Sequence, residues 1–268
     1  MKEKPIVQQC LLFHELTRED LQAAREFLVI LPVGATEQHG PHLPVGTDFL
    51  FVESIARKAA AVAAQQIPVL VAPTLPFGSS HHHIPFGGTL SLSTEVYHRA
   101  VYDLAESVIA SGFRKLFILN GHGGNHEIIQ LVARDLALKH PAALAAGSYW
   151  DVAEAGLVAE EARSRGLMPG HAGAFETSLM LSLRPELVRD PRPARPHSPE
   201  GAAATYRCEL PGWWQQSDGY TDSPAAGTAA HGEAYLAAIV EAVARAFVDF
   251  DRAAGREPSL QSAGAVAK

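Results

Sequence analysis

The stretch Leu31-Pro32-Val33-Gly34-Ala35-Thr36-Glu37-Gln38-His39-Gly40-Pro41-His42-Leu43-Pro44-Val45-Gly46-Thr47-Asp48 decides the fold. The apolar run Phe27-Leu28-Val29-Ile30-Leu31 that leads into it reads as a buried strand, and residues 49–61 after it read as a helix. Between the two, a Gly- and Pro-rich loop carries Glu37, His39, His42 and Asp48. Most strand-to-helix loops are shorter, so this one calls for a function. Metal binding supplies one. Glu37 and His39 are two apart, so in an extended segment their side chains point to the same side. Thr47 is the expected N-cap of the helix, which places Asp48 at its start. A carboxylate there can bridge two cations, one on each oxygen. The competing reading is a polar surface loop with a chance histidine. So many ligand types close together, held by Gly and Pro, argue against it.

Outward from this loop, strands alternate with helices. Thr17-Arg18-Glu19-Asp20 resembles a capping box and opens a short helix through Arg25. A helix over 47–65 follows the opening loop, and Pro68 to Ala72 is a second apolar strand. Strands that are apolar throughout favour a parallel sheet covered on both faces. A helix over 93–111 stops at Gly112, and Lys115 to Leu119 is a third strand. Then come a glycine-rich loop over 120–125 and a helix over 126–138. A fourth strand is expected over 142–150, a helix over 151–165, another over 176–183, and a closing amphipathic helix over 231–252. The alternation defines one α/β domain over 1–255, with 256–268 expected as a disordered tail.

Two loops are too long to be plain connectors. Residues 74–93 hold His81-His82-His83, which read either as part of an active-site loop or as a solvated run. Residues 189–230 hold Trp213-Trp214 and Tyr220, which either cover the site or pack on a neighbouring subunit. Composition narrows the classes. The chain has 268 residues, 47% of them apolar, and a net charge of -7, which argues against a nucleic-acid-binding face. No apolar run approaches the roughly eighteen residues that span a bilayer. The N-terminal residues lead into no signal-peptide core, so the cytoplasm is the expected address. Cys10 and Cys208 lack metal-site spacing and are expected to be reduced thiols.

Ligands of open α/β sheets collect at the carboxyl ends of strands. Glu37, His39 and Asp48 follow the first strand, and His122 follows the third. His171 and Glu176 lie beyond the fourth. His171 suits proton transfer, since histidine titrates near neutrality. The other two histidines and three carboxylates suit two divalent ions such as Zn, Mn or Fe. Such a pair can activate water and polarise a carbonyl, as hydrolysis of an amide requires. Glu176 is a metal ligand, a partner behind the ligands, or a helix cap. The loop Asn120-Gly121-His122-Gly123-Gly124-Asn125 is neither GxGxxG nor a Walker motif, so phosphate binding is the minor reading there.

These residues resemble the creatininase (creatinine amidohydrolase) family. The resemblance rests on Gly34-Ala35-Thr36-Glu37-Gln38-His39-Gly40-Pro41-His42, Asp48, and Phe86-Gly87-Gly88-Thr89-Leu90-Ser91. The loop over 120–125 and His171-Ala172-Gly173-Ala174-Phe175-Glu176-Thr177-Ser178 complete it. It implies a single-domain α/β/α sandwich with a mostly parallel sheet, assembled as a homohexamer. It also implies two divalent metals, zinc first and manganese or iron as alternatives, and hydrolysis of a small cyclic or linear amide. By resemblance Glu37 and His122 bind one metal, His39 the other, Asp48 bridges them, and His171 is catalytic. Creatininase itself has a glutamate two positions after the His122 equivalent, where this chain has Gly124. Glu176 is the substitute. Creatininase also has a Trp-Asp pair shortly before its catalytic histidine, where this chain has Leu167-Met168-Pro169-Gly170. Creatinine is therefore not the expected substrate. Other members act on formamides of pterin- or flavin-type precursors, or cleave a short peptide. The alternative to an enzyme is a metal-binding scaffold or small-molecule sensor.

Overall fold

A computed structural model describes residues 10–194 and 212–255. The expected tail at 256–268, Cys208 and the middle of the loop over 189–230 lie outside the described residues. Five parallel strands form one sheet: β1 (Cys10–Leu12), β2 (Leu28–Val33), β3 (Val69–Val71), β4 (Lys115–Asn120) and β5 (Ala143–Ser148). Their order is β1-β3-β2-β4-β5. Leu28 pairs with Val69, and Leu31 with Ile118, so β2 lies between β3 and β4. Every residue of β2 is buried, as a central parallel strand demands.

Side-chain alternation along the strands divides the core in two. Leu28 and Ile30 face one layer, with α2 (Thr47–Ala63), α8 (Ala174–Leu183) and α10 (Ala229–Ala254). Val29, Leu31 and Val33 face the other, with α3 (Thr94–Ala110) and α4 (His126–Lys139). The result is the expected α/β/α sandwich. Because α2 leaves β2 on one face and α3 enters β4 from the other, chain order reverses between β2 and β4. That switch point opens a crevice at the strands' carboxyl ends.

Several local expectations change. The edge strand β1, half-buried and three residues long, has too little pattern to be read from sequence. The capping box holds: Thr17 Oγ1 accepts from Asp20 N–H, and the Asp20 carboxylate accepts from Thr17 N–H, over α1 (Arg18–Ala23). Thr47 is not an N-cap. Gly46 takes that position, and the Thr47 hydroxyl donates to the Pro44 carbonyl at 2.7 Å from inside the first turn. The helix expected over 151–165 is three short ones: α5 (Tyr149–Val152), α6 (Glu154–Ala159) and α7 (Ala162–Arg165). Leu157 and Ala162 are both buried. Five residues along a straight helix they would lie about 140° apart, too far for one face. Glu161, with φ 56°, breaks the helix and turns both inward. A further short helix, α9 (Trp213–Gln216), lies in the region expected to be loop.

Helix α10 covers the sheet through Phe247, fully buried with its ring 5.1 Å from Phe117 at 72°. Phe247→Ala should lower unfolding free energy by about 3–5 kcal/mol in urea titrations. A loss under about 1 kcal/mol would mean that α10 does not anchor this layer.

Candidate metal centre

The loop after β2 turns back at once, with Thr36 bridged to Leu90 and His39 to Leu43. This carries Glu37 and His39 into the crevice, buried to 1% and 0% exposure. Asp48, in the first turn of α2, is 2% exposed and lies between two histidines. Its Oδ1 is 3.1 Å from His39 Nε2, and its Oδ2 is 3.0 Å from His122 Nδ1. Glu37 Oε1 is 3.3 Å from the same His122 nitrogen. Glu176 Oε2 is 3.7 Å from His39 Nε2, and it also accepts the Ala172 N–H. So Glu176 faces the cluster, and its main-chain partner Ala172 lies before the N-cap Gly173, outside α8.

Hydrogen bonds fix which imidazole nitrogens face inward. A main-chain oxygen can only accept, so His39 Nδ1–H donates to Glu37 O at 3.1 Å, leaving Nε2 open. His122 Nε2–H lies 3.2 Å from Ser79 O, leaving Nδ1 open. His171 Nε2–H donates to Gln38 O at 2.9 Å, leaving Nδ1 open, 3.5 Å from Glu37 Oε1. Outer partners of this kind orient metal-binding histidines.

Four overlapping donor groups result: Glu37–His82–His83, Glu37–His39–His171, and two that share Asp48, Glu37–Asp48–His122 and His39–Asp48–Glu176. Glu37 Oε2, His39 Nε2 and Asp48 Oδ2 are buried without a hydrogen bond among the described residues. Orphaned buried polar atoms are costly, so their convergence fits the binding of divalent cations. The Gly124 position is closed to a side chain, since a Cβ there would meet Ser79 O at 2.2 Å. Glu176, from α8, is the third donor beside His39 and Asp48.

Without a cation the charges lean on one another. Burial pushes the Glu37 carboxyl up, but His122, His171 and His83 more than reverse this and hold it well below the carboxylate range. Burial lowers His39, yet Asp48 and then Glu176 raise it to about 10. His122 is likewise raised well above the usual value, by Glu37 and Asp48 against burial. Burial and then the His39 charge hold His171 well below it. Burial and then Asp48 outweigh His39 and push Glu176 up to about 8.

His42, a candidate ligand by sequence, is not in this cluster; its Nε2 meets Thr177 Oγ1 at 3.0 Å. The histidine triplet divides. His81 is exposed, His82 half-buried, and His83 fully buried against the site. The sequence also left Trp214 undecided, and its ring lies 5.2 Å from His171. Trp213 packs edge-on against Trp214 and stays 43% exposed. Gln38 was not singled out by sequence at all, although its position between Glu37 and His39 offered a clue. A cavity of about 610 Å³ opens over the cluster, with Trp150, Asp151, His126 and Trp214 in its walls.

The profile of a family described as "Creatininase: Creatinine amidohydrolase" matches residues 14–247. This chain therefore belongs to the creatininase family, amidohydrolases that act on carbon–nitrogen bonds. It is 33% identical over 177 residues to the mycofactocin precursor peptide peptidase of Mycobacterium tuberculosis, covering 61% of each chain. The chain thus spans less than two thirds of the length of that curated relative. It is 32% identical over 194 residues to the creatinine amidohydrolase of Pseudomonas putida, covering 65% of this chain and 72% of the other. A crystal structure of creatinine amidohydrolase superimposes with a TM-score of 0.74 at 29% identity, over 90% of this chain and 98% of that one.

Cation binding requires neutral imidazoles, whereas metal-free His39 and His122 are held protonated above their usual range. Zinc uptake by metal-free protein at about pH 8 should therefore release protons, and apparent affinity should rise with pH toward about 10. A pH-stat titration checks this. Uptake without proton release would show that the two rings are already neutral.

Proposed function

We propose that the chain is a metal-dependent amidohydrolase that cleaves the C–N bond of a small cyclic or linear amide or formamide. The observation that carries this reading is Asp48, whose two oxygens each face a different histidine, His39 and His122. Glu37, His122 and Asp48 would hold one divalent ion, and His39, Asp48 and Glu176 a second. Zinc is the first choice, with manganese or iron as alternatives. Bound there, the ions would polarise a carbonyl and acidify water. His171 does the proton transfer in this reading. Its Nε2–H is tied to Gln38 O, and its Nδ1 lone pair faces the cluster. Burial keeps it neutral. It can take a proton from attacking water and return it to the leaving nitrogen.

Creatinine is disfavoured, because Leu167-Met168-Pro169-Gly170 precede His171 where, by family resemblance, creatininase carries a Trp-Asp pair. The cavity walls suit a planar polar amide, with Trp214 and Trp150 supplying aromatic surface and His81, His82, Asp151 and Glu127 supplying polar groups. The end of a short peptide is the second reading, favoured by similarity to the mycobacterial peptidase. A cytoplasmic homohexamer belongs to the proposal by family resemblance. No described helix is long and apolar enough to cross a membrane.

Elemental analysis of tag-free protein, paired with a panel of amides, formamides and short peptides, tests the reading. Metal without turnover across the panel would favour a scaffold or sensor instead. Creatinine turnover should be negligible. Asp48→Ala should lose both ions, and Glu176→Gln should weaken one while leaving the other. Full occupancy in Asp48→Ala would remove the bridging role. His171→Ala should keep its metals and lose about a hundred-fold or more in turnover, the scale of a general acid–base group. A small loss would assign proton transfer to another residue.

A further inference from the structure

Gln38 lies between two histidines, and its hydrogen bonds determine where their protons sit. Its Oε1 accepts the Gly40 N–H at 2.9 Å, which identifies the other end of the amide as the donor. That Nε2 is 3.1 Å from Gly219 O, 2.9 Å from His83 Nδ1 and 3.0 Å from His171 Nε2. An amide has only two protons to give. The Gly219 carbonyl can only accept, so it takes one. His171 Nε2 already donates to Gln38 O and cannot accept. The second amide proton therefore goes to His83 Nδ1. Gly219 permits this approach. Its φ is +75°, and a Cβ there would meet Gln38 Oε1 at 2.4 Å.

A neutral imidazole carries one N–H, so His83 carries its proton on Nε2. That atom is buried with no hydrogen-bond partner among the described residues, and His83 lines the cavity over the cluster. It is 3.6 Å from Glu37 Oε1, the oxygen that His171 Nδ1 approaches to 3.5 Å. The two rings stack at 4.2 Å and 18°, with Trp214 edge-on to His83 at 4.4 Å. One small region thus presents a lone pair from His171 and an N–H from His83. Amide hydrolysis uses both: an acceptor for the water proton, and a donor for the oxygen that gains negative charge. A ring that accepts at Nδ1 is neutral, because a charged imidazolium has no lone pair to offer. A neutral imidazole is too weak an acid to surrender its last proton. It can donate a hydrogen bond but cannot protonate the leaving nitrogen.

Resting on the amidohydrolase reading, we propose that His83 is a second catalytic residue, whose Nε2–H binds the oxygen of the substrate amide, with Gln38 as the positioning residue that keeps the proton there. No bond to His83 forms or breaks. Long-range proton–nitrogen NMR of histidine-labelled, zinc-loaded protein tests the tautomer, with acetohydroxamate as the amide-oxygen probe. The His83 side chain should be neutral with its proton on Nε2, and that proton should move downfield when acetohydroxamate is added. A proton on Nδ1, a charged ring, or an unmoved resonance would overturn the proposal. Gln38→Glu puts an acceptor opposite Nδ1 and should shift the proton to that atom; an unchanged tautomer would remove the positioning role.

Kinetics on p-nitroformanilide supply the second arm. His83→Leu should lose about 10²–10³-fold in kcat, the scale of one oxyanion donor, with KM and metal content unchanged. His83→Asn retains an N–H and should recover part of that loss. Equal losses in both variants, or a loss confined to KM, would overturn the assignment. Failure of the wild-type protein to cleave the anilide, or any amide of the panel, would count against the amidohydrolase reading itself. The tautomer and acetohydroxamate shift would then decide the His83 proposal alone.

Discussion

Three carboxylates, Glu37, Asp48 and Glu176, are buried together, and among the described residues their close ionic partners are histidines. This is the constraint on which the rest of the structure depends. Taking a carboxylate out of water costs several kcal/mol, about enough for one uncompensated site to threaten a domain's net stability. Protonated His39 and His122 answer the charge in metal-free protein. In the proposed loaded form, divalent cations would replace those protons, and the same geometry would serve both states. The backbone contributes as well. Asp48 and Glu176 occupy the first turns of α2 and α8, where helix N-termini favour negative charge.

The sheet makes this concentration of charge geometrically cheap. β2 and β4 are neighbours with their helices on opposite faces, so the carboxyl ends of the two strands open onto a crevice without disturbing the apolar layers. The acids therefore enter from loops and helix starts, and the central strands β2 and β3 stay apolar throughout. Asn120 and Asn125 hold the far loop in shape. Asn120 donates to His122 O at 2.7 Å, and Asn125 to Gly34 O at 3.1 Å. Asn120 braces the β4 loop within itself and Asn125 ties it to the loop of β2, which fixes His122 relative to Glu37.

The residues around the cluster are arranged for two chemical tasks. On one side, the open nitrogens of His39 and His122 point at carboxylates. On the other, His83 and His171 stack under Trp214, with Gln38 between them. Neutral rings on one side and proton-retaining rings on the other arise from neighbours alone, since all four are buried histidines of the same intrinsic pKa. Substrate selection in this picture falls to the cavity walls, which Trp150, Asp151, His126 and Trp214 line.

The sequence by itself determined the parallel α/β fold, because strands that are apolar at every position have only one place to go, the middle of a covered sheet. It also determined Glu37, His39, Asp48, His122, His171 and Glu176 as the candidate site, since these lie in Gly- and Pro-rich loops directly after strands or at the starts of helices. Short elements were beyond it. β1 and α9 have too few residues for a period to emerge, and the break at Glu161 reflects a choice of face that only packing against α10 makes. Tertiary structure alone separated His42 from its loop neighbours and drew in His83 from a triplet whose members look alike in sequence. It alone gave Gln38 its position, through contacts with Gly219 and His171 that lie 181 and 133 residues away along the chain. The physical reason is the same in each case. Local pattern fixes which residues are buried, but the direction of a hydrogen bond depends on groups that meet only when distant loops close over the sheet.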